Sequence, residues 1–469
     1  VKPTVVAAAR LAPAASWAPG IAAVGALVLA AAWAVVTLPP YLAVAIVLGG
    51  SAAVTAWLVF PDSPVYALLA LAPFSISFNL GVLHGVELHD LVLGVLLVTV
   101  ASAILSGLQK EARFATHVGT GLLILWILIF VWTAFTYRYG SANRWLMSTT
   151  VKNTWYIYRQ VGRLLLPFPL IVCYLRNPHP ARRVVDVLLL VNAGLAVFAI
   201  LRAPQTQYVA TGPFETGNQL AGYLVPVIPF AAARLFLGIG WRGKILGGAA
   251  LPVMLRALWL TGSRGGLAGA VMSFLPLALF VPRRRLGAAA AVVVVAGLAG
   301  VLTQGDILDR PKFQRFLTLG NFENQETFKW RQEQWAMFMN RLAENPWMGT
   351  GSDVDKSLAE LDRAQTPHNS YLGLAMRSGI PGVALWIALL GVAGLACLRG
   401  LLAPAASVDA QILWLGLIGA LAGLILHGFG EATLLLSAVQ ILFWCLLGFS
   451  LVELRAVEGL APARLVIRA

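Results

Sequence analysis

The run His368-Asn369-Ser370-Tyr371-Leu372 stands where a long polar stretch gives way to an apolar one. An imidazole exchanges its proton near neutral pH, so His368 is a candidate general base for activating a hydroxyl. A hydrogen-bonding histidine at a helix start is the competing reading. Asn369 could orient that imidazole or the reacting hydroxyl, and an asparagine at this place also caps a helix. Tyr371 is a supporting candidate one turn on.

A second group is cationic. Arg264, within Thr261-Gly262-Ser263-Arg264-Gly265-Gly266, interrupts two apolar runs, where a guanidinium is costly unless it faces water or an anion. The adjoining glycines permit a tight turn and close backbone approach. Arg202 closes another apolar run, and two outward arginines would suit a lipid diphosphate, because the planar fork binds phosphate oxygens and stays charged. Snorkelling to headgroups is the plainer alternative for both. Arg256, close to Arg264, could substitute, with Ser263 and Asn218 in support.

These groups need a scaffold. Of 469 residues 59% are hydrophobic and 12% charged, and apolar runs long enough to cross a bilayer recur throughout. Such runs, rich in Leu, Ala, Val and Gly and without period-2 alternation, exclude a barrel and predict an all-α polytopic membrane protein. Spans are expected near 17–37, 40–60, 64–83, 89–107, 118–136, 160–175, 183–201, 217–239, 245–261, 264–281, 286–303, 371–398, 410–427 and 433–452, or about 12–14 helices. The run near 17–37 reads as a retained helix rather than a cleaved leader.

The net charge of +14 is largely topological signal. Lys2, Arg10, Lys110, Arg113, Arg176, Arg182, Arg183, Arg242, Lys244, Arg283 to Arg285, Arg399, Arg455, Arg464 and Arg468 fall on alternate loops, which the positive-inside rule makes cytoplasmic, with both termini inside. One outer loop, 137–160, breaks the pattern with Arg138, Arg144, Lys152 and Arg159 among Trp145, Trp155, Tyr156 and Tyr158, as an amphipathic connector or a lipid-phosphate contact would. The expected layout is a transmembrane region over 1–303, an outer loop domain over 304–368, and further membrane helices with a cytoplasmic tail over 369–469. Within the loop, Phe328, Trp335, Phe338 and Leu342 recur at helical spacing, predicting an amphipathic helix that ends at Asn345-Pro346.

Other motifs are weaker. Asp353-Val354-Asp355 has the form that holds a metal and a nucleotide diphosphate, and His84, Glu87, His89 and Asp90 could bind a cation, though a solvated turn fits them better. His427 and Glu431, on the last outer loop, could supplement acid–base work or serve structure. Cys173, Cys397 and Cys445 lie in apolar runs without metal spacing. No metal or cofactor is expected. The absence of GxSxG, P-loop and HExxH patterns in the sequence weighs against a hydrolase or an ATP-driven transporter.

Four features in order resemble the bacterial O-antigen ligase and Wzy-type polysaccharide polymerase superfamily. They are Gly212-Pro213-Phe214 leading to Gly217-Asn218-Gln219-Leu220-Ala221; Thr261 to Gly266; the Arg331-to-Trp335 helix with Pro346, Gly349 and Gly351; and His368 to Leu372 followed by Gly379-Ile380-Pro381-Gly382. The resemblance implies a membrane glycosyltransferase of the C type that takes a glycan from undecaprenyl diphosphate at the periplasmic face of the bacterial inner membrane, without a metal. His368 would match the catalytic histidine and Arg264 a donor-diphosphate arginine, while Arg202 rests on position alone. Thr216-Gly217-Asn218 stands where the family has an Asn-Pro-Asn-like run. Implied partners are the lipid-linked donor, a lipid A–core or growing-glycan acceptor, membrane lipids and assembly proteins, with no nucleic acid. A ligase is the first reading, a Wzy-type polymerase the second, and a lipid-linked glycan transporter or flippase the reading from another class.

Overall fold

The computed structural model describes residues 62–74, 77–80, 83–87, 90, 92–97, 100, 117–139, 161–175, 177–206, 209–281, 326–350 and 367–459. In chain order these form α1 (Ser63–Leu71), a hairpin of β1 (Ser77–Leu80) and β2 (Leu83–Glu87), and α2 (His117–Tyr139). Next come α3 (Arg163–Leu165), α4 (Pro167–Tyr174), α5 (Ala181–Arg202), α6 (Gly217–Leu224), α7 (Ile228–Leu237), α8 (Gly240–Leu260) and α9 (Arg264–Phe280). The last are α10 (Glu326–Glu344), α11 (Ser370–Leu401), α12 (Val408–Gly430) and α13 (Ser437–Val457). Among the described residues seven helical spans, α6 and α7 together making one, are long and apolar enough to cross a membrane. The protein is an all-α polytopic membrane protein, with a short antiparallel hairpin as its departure from helix.

Two expected spans are corrected, and a third, 217–239, stands as the membrane span Gly217–Leu237 with a break inside it. The run 64–83 is not one helix: α1 stops at Leu71, and Ser77 onward is extended and paired with β2. The run 160–175 is broken into α3 and α4, because Pro167 and Pro169 supply no amide hydrogen to a continuous helical ladder. The run 217–239 is interrupted at 225–227, where Pro226 and then Pro229 interrupt the ladder in the same way. The spans near 17–37, 40–60 and 286–303, the loop centre of 137–160, most of 89–107 and Asp353-Val354-Asp355 lie outside the described residues.

Small residues set the core spacing. Gly265, Gly269 and Ser273 repeat every four residues on α9, facing His427, Gly423 and Gly419 on α12, while Gly416 of α12 packs on the Phe230 ring of α7. A Cβ at Gly419 would lie 2.6 Å from Ser273 O, and one at Gly423 2.9 Å from Gly269 O. The two backbones therefore touch, which is how helices associate in a solvent as apolar as their side chains. α13 lies almost wholly inside the bundle, with Trp444 and Phe449 fully buried, and α2 is peripheral.

Charges gather at the two ends. At one end Arg234 of α7, 4% exposed, pairs with Asp186 of α5 at 2.9 Å and with Asp409 of α12. Beside it Glu453 accepts from the Ala181 amide at 3.0 Å and faces His179 Nδ1 at 3.1 Å. Arg182, Arg183, Arg242, Lys244, Arg399 and Arg455 belong to helix ends on this same side. The far ends of these helices build the site.

Candidate active site

The end of α5, the head of α6, the α8–α9 turn, the head of α11 and the end of α12 meet on one side of the bundle. Ala210 N donates to Leu260 O, which ties the α5–α6 connection to the α8 terminus. Gly262, at φ 67°, makes the turn into α9, and Ser263 caps that helix, its Oγ accepting from Gly266 N at 3.1 Å. Arg264 is the first residue of α9 and is half-buried. Asn369 caps α11, its Oδ1 accepting from the amides of Tyr371 and Leu372 at 3.0 Å each.

His368 precedes that cap with φ 44°, a left-handed conformation uncommon outside glycine and one that surrounding structure must hold. Trp335 Nε1 grips Pro367 O at 2.7 Å on one side, and Asn369 Nδ2 reaches Phe429 O at 3.3 Å on the other. The imidazole packs against the Trp330 ring in an edge-on contact of 5.6 Å.

The imidazole's partner is Glu431, with His368 Nδ1 3.0 Å from Glu431 Oε2. The other carboxylate oxygen accepts from Arg331 Nη2 at 2.6 Å and Asn218 Nδ2 at 2.7 Å. Arg331 Nη1 also donates to Gly430 O at 2.9 Å. Burial would raise the Glu431 carboxyl, but the His368 hydrogen bond and the Arg331 charge, joined by His427, outweigh it and hold the group below the usual carboxylate range. Glu431 is thus an ionised acceptor. With the carboxylate on Nδ1, the neutral imidazole carries its proton there and leaves Nε2 as the basic nitrogen.

His427 stands behind this cluster, fully buried, with Nδ1 on Thr433 Oγ1. It sits against glycines of two helices: a Cβ at Gly222 would lie 3.3 Å from its Cε1, and one at Gly265 3.4 Å from its Cδ2. The head of α9, and with it Arg264, is thereby held one turn of α12 away from Glu431.

The structure brings His368 and Asn218 onto Glu431 and sets Gly265, the residue after Ser263-Arg264, against His427. Arg202, the last residue of α5, is exposed, with its guanidinium 5.9 Å from the Phe198 ring centroid. Arg256 is inside α8, more than a turn below its end. Asn369 acts as the cap and Glu431 holds the imidazole, while the Tyr371 hydroxyl donates to Ile425 O at 2.9 Å and its ring packs on Phe429. Arg331 reads in the sequence as a polar position on an amphipathic helix and as the start of one resemblance motif, with no role of its own assigned. Its relation to Glu431, one hundred residues on, has no local signal.

Together these elements define a class: a multi-pass helical membrane protein with a carboxylate-oriented histidine and several arginines at one end of the bundle. The comparisons narrow it. Residues 249–387 match the family model described as Wzy_C, O-Antigen ligase. An O-antigen ligase of Pseudomonas aeruginosa is 27% identical over 152 residues, which is 31% of this chain and 34% of that relative. The matched stretch thus spans about a third of the relative's length. These findings support the O-antigen ligase superfamily, in agreement with the motif resemblance. Arg264, Arg331 and His368 fall within residues 249–387, whereas Asn218 and Glu431 come from outside them.

Proposed function

We propose that the protein is a membrane glycosyltransferase that moves a glycan from undecaprenyl diphosphate to an acceptor hydroxyl, acting as an O-antigen ligase onto lipid A–core. The observation that carries this reading is the His368–Glu431 pair at the membrane boundary, built around a segment that matches the ligase family. His368 Nε2 takes the proton of the acceptor hydroxyl as its oxygen attacks the anomeric carbon. The bond from that carbon to the diphosphate oxygen breaks, and Glu431 stabilises the imidazolium that forms. Arg264 meets the charge on the departing diphosphate, with Arg202 in reach of the same face of the membrane. The sugar–phosphate bond is already activated, so neither nucleotide hydrolysis nor a metal is invoked.

Two further observations support the reading. Helix ends opposite the site carry Arg182, Arg183, Arg242, Lys244 and Arg399, which by the positive-inside rule turns the site toward the periplasm of the inner membrane. A cavity of about 470 Å³ between α10 and α11, lined by Trp335, Met339, Leu342, Tyr371 and Ile387 with Asn369 beside them, is almost wholly apolar. It offers a lipid chain a place next to His368.

A gel assay with purified protein, undecaprenyl diphosphate-linked repeat units, and lipid A–core present or absent tests the proposal. Transfer onto lipid A–core is the expected result. Repeat-to-repeat extension without it would instead make the protein a Wzy-type polymerase.

A further inference from the structure

The amphipathic helix α10 touches the site at four successive places on one face. Trp330 packs edge-on to His368, Arg331 bridges Gly430 O and Glu431 Oε1, and Trp335 Nε1 holds Pro367 O. Phe338 then anchors the helix in a small apolar cluster with Leu372, Ala375 and Met376. Below it the chain is stitched to α11 by Thr350 N on Met376 O at 2.6 Å and Ile380 N on Pro346 O at 2.9 Å. Glu431 itself is faced by His368 ahead of α11, Arg331 on α10, Asn218 on α6 and His427 on α12. Of these only Arg331 carries a fixed charge, and only Arg331 comes from a helix outside the membrane bundle.

We propose that Arg331 is a positioning residue for the transfer: by bridging Gly430 and Glu431 it fixes the carboxylate that aligns His368, so the base is set only when α10 is docked. This rests on the reading of His368 as general base. The bridge holds one carboxylate oxygen while the imidazole uses the other, so a loosened Glu431 would let the His368 ring turn away from the acceptor. Both terminal nitrogens of Arg331 are taken up by Gly430 O and Glu431 Oε1, which places its effect on turnover rather than on donor binding.

The split between turnover and donor binding, with partial rescue by a conservative variant, separates this role from mere support of the fold. The test uses the full chain in detergent, an undecaprenyl diphosphate-linked glycan and lipid A–core, with Arg331→Gln, Arg331→Lys and His368→Ala. Arg331→Gln should lose about tenfold or more in kcat and keep its donor KM within about twofold. Arg331→Lys keeps a charge but cannot bridge both acceptors, so its kcat should fall between wild type and Arg331→Gln. It also serves if Arg331→Gln does not fold. Wild-type kcat in the folded Arg331 variants, with His368→Ala inactive, would overturn the inference and leave His368 as base. Normal transfer by His368→Ala would overturn the underlying reading as well.

Discussion

At the scale of single residues, the site is one carboxylate with both its oxygens in use. Glu431 is 8% exposed, and its two oxygens serve His368, Arg331 and Asn218. A buried carboxylate is tolerable only when so satisfied. Glu431→Gln keeps the shape and removes the charge, and should lower kcat by about 10²-fold, as a steady-state transfer assay would show. Stability follows from the same group. Its folded-state pKa is lowered, so its contribution is fully present above the ordinary carboxylate value, about 4.3, and is lost as pH falls through the lower folded value. Wild type should therefore lose more melting temperature than Glu431→Gln between pH 7 and pH 3.

At the scale of elements, the break in α11 shows how a helix can be bent without leaving polar groups orphaned. Gly379 has φ 68°, and Pro381 beyond it lacks an amide hydrogen. The carbonyls freed near the kink find other donors: Met376 O takes Thr350 N, and Ser378 O takes Trp132 Nε1 at 2.7 Å. A Cβ at Gly379 would lie 2.0 Å from Trp347 O, a backbone atom. Gly379→Ala should accordingly destabilise the protein by about 2 kcal/mol or more and loosen the 345–350 turn, read by thermal melting and hydrogen exchange. Elements of this kind were half legible. The sequence reading keeps 371–398 as one span although Gly379 and Pro381 lie in it, whereas the spacing of Phe328, Trp335, Phe338 and Leu342 does place a helix ending where Asn345-Pro346 begins. Hydropathy alone, however, reads through Pro167 and Pro169, because an apolar run looks the same whether or not its backbone can continue.

At the scale of the whole molecule, the sequence reveals the solvent more readily than the site. Long apolar runs require helices in a bilayer, and the alternation of basic loops gives each helix a direction. From direction alone Arg202, Arg264 and His368 can be put on one side. What pattern cannot supply is which polar side chains touch: Glu431 is 63 residues from His368, and Asn218 is 213 from Glu431. His427 and Glu431 stand out as polar residues closing an apolar run, a signal that marks candidates without naming their partners. The central claim is that this bundle holds a histidine base for glycan transfer. It is tested most directly by purifying wild type and His368→Ala and measuring transfer from an undecaprenyl diphosphate-linked glycan to lipid A–core, with matched melting curves to confirm folding. The account predicts transfer by wild type and a loss of about 10²-fold or more in the variant; transfer at the wild-type rate by folded His368→Ala would contradict it.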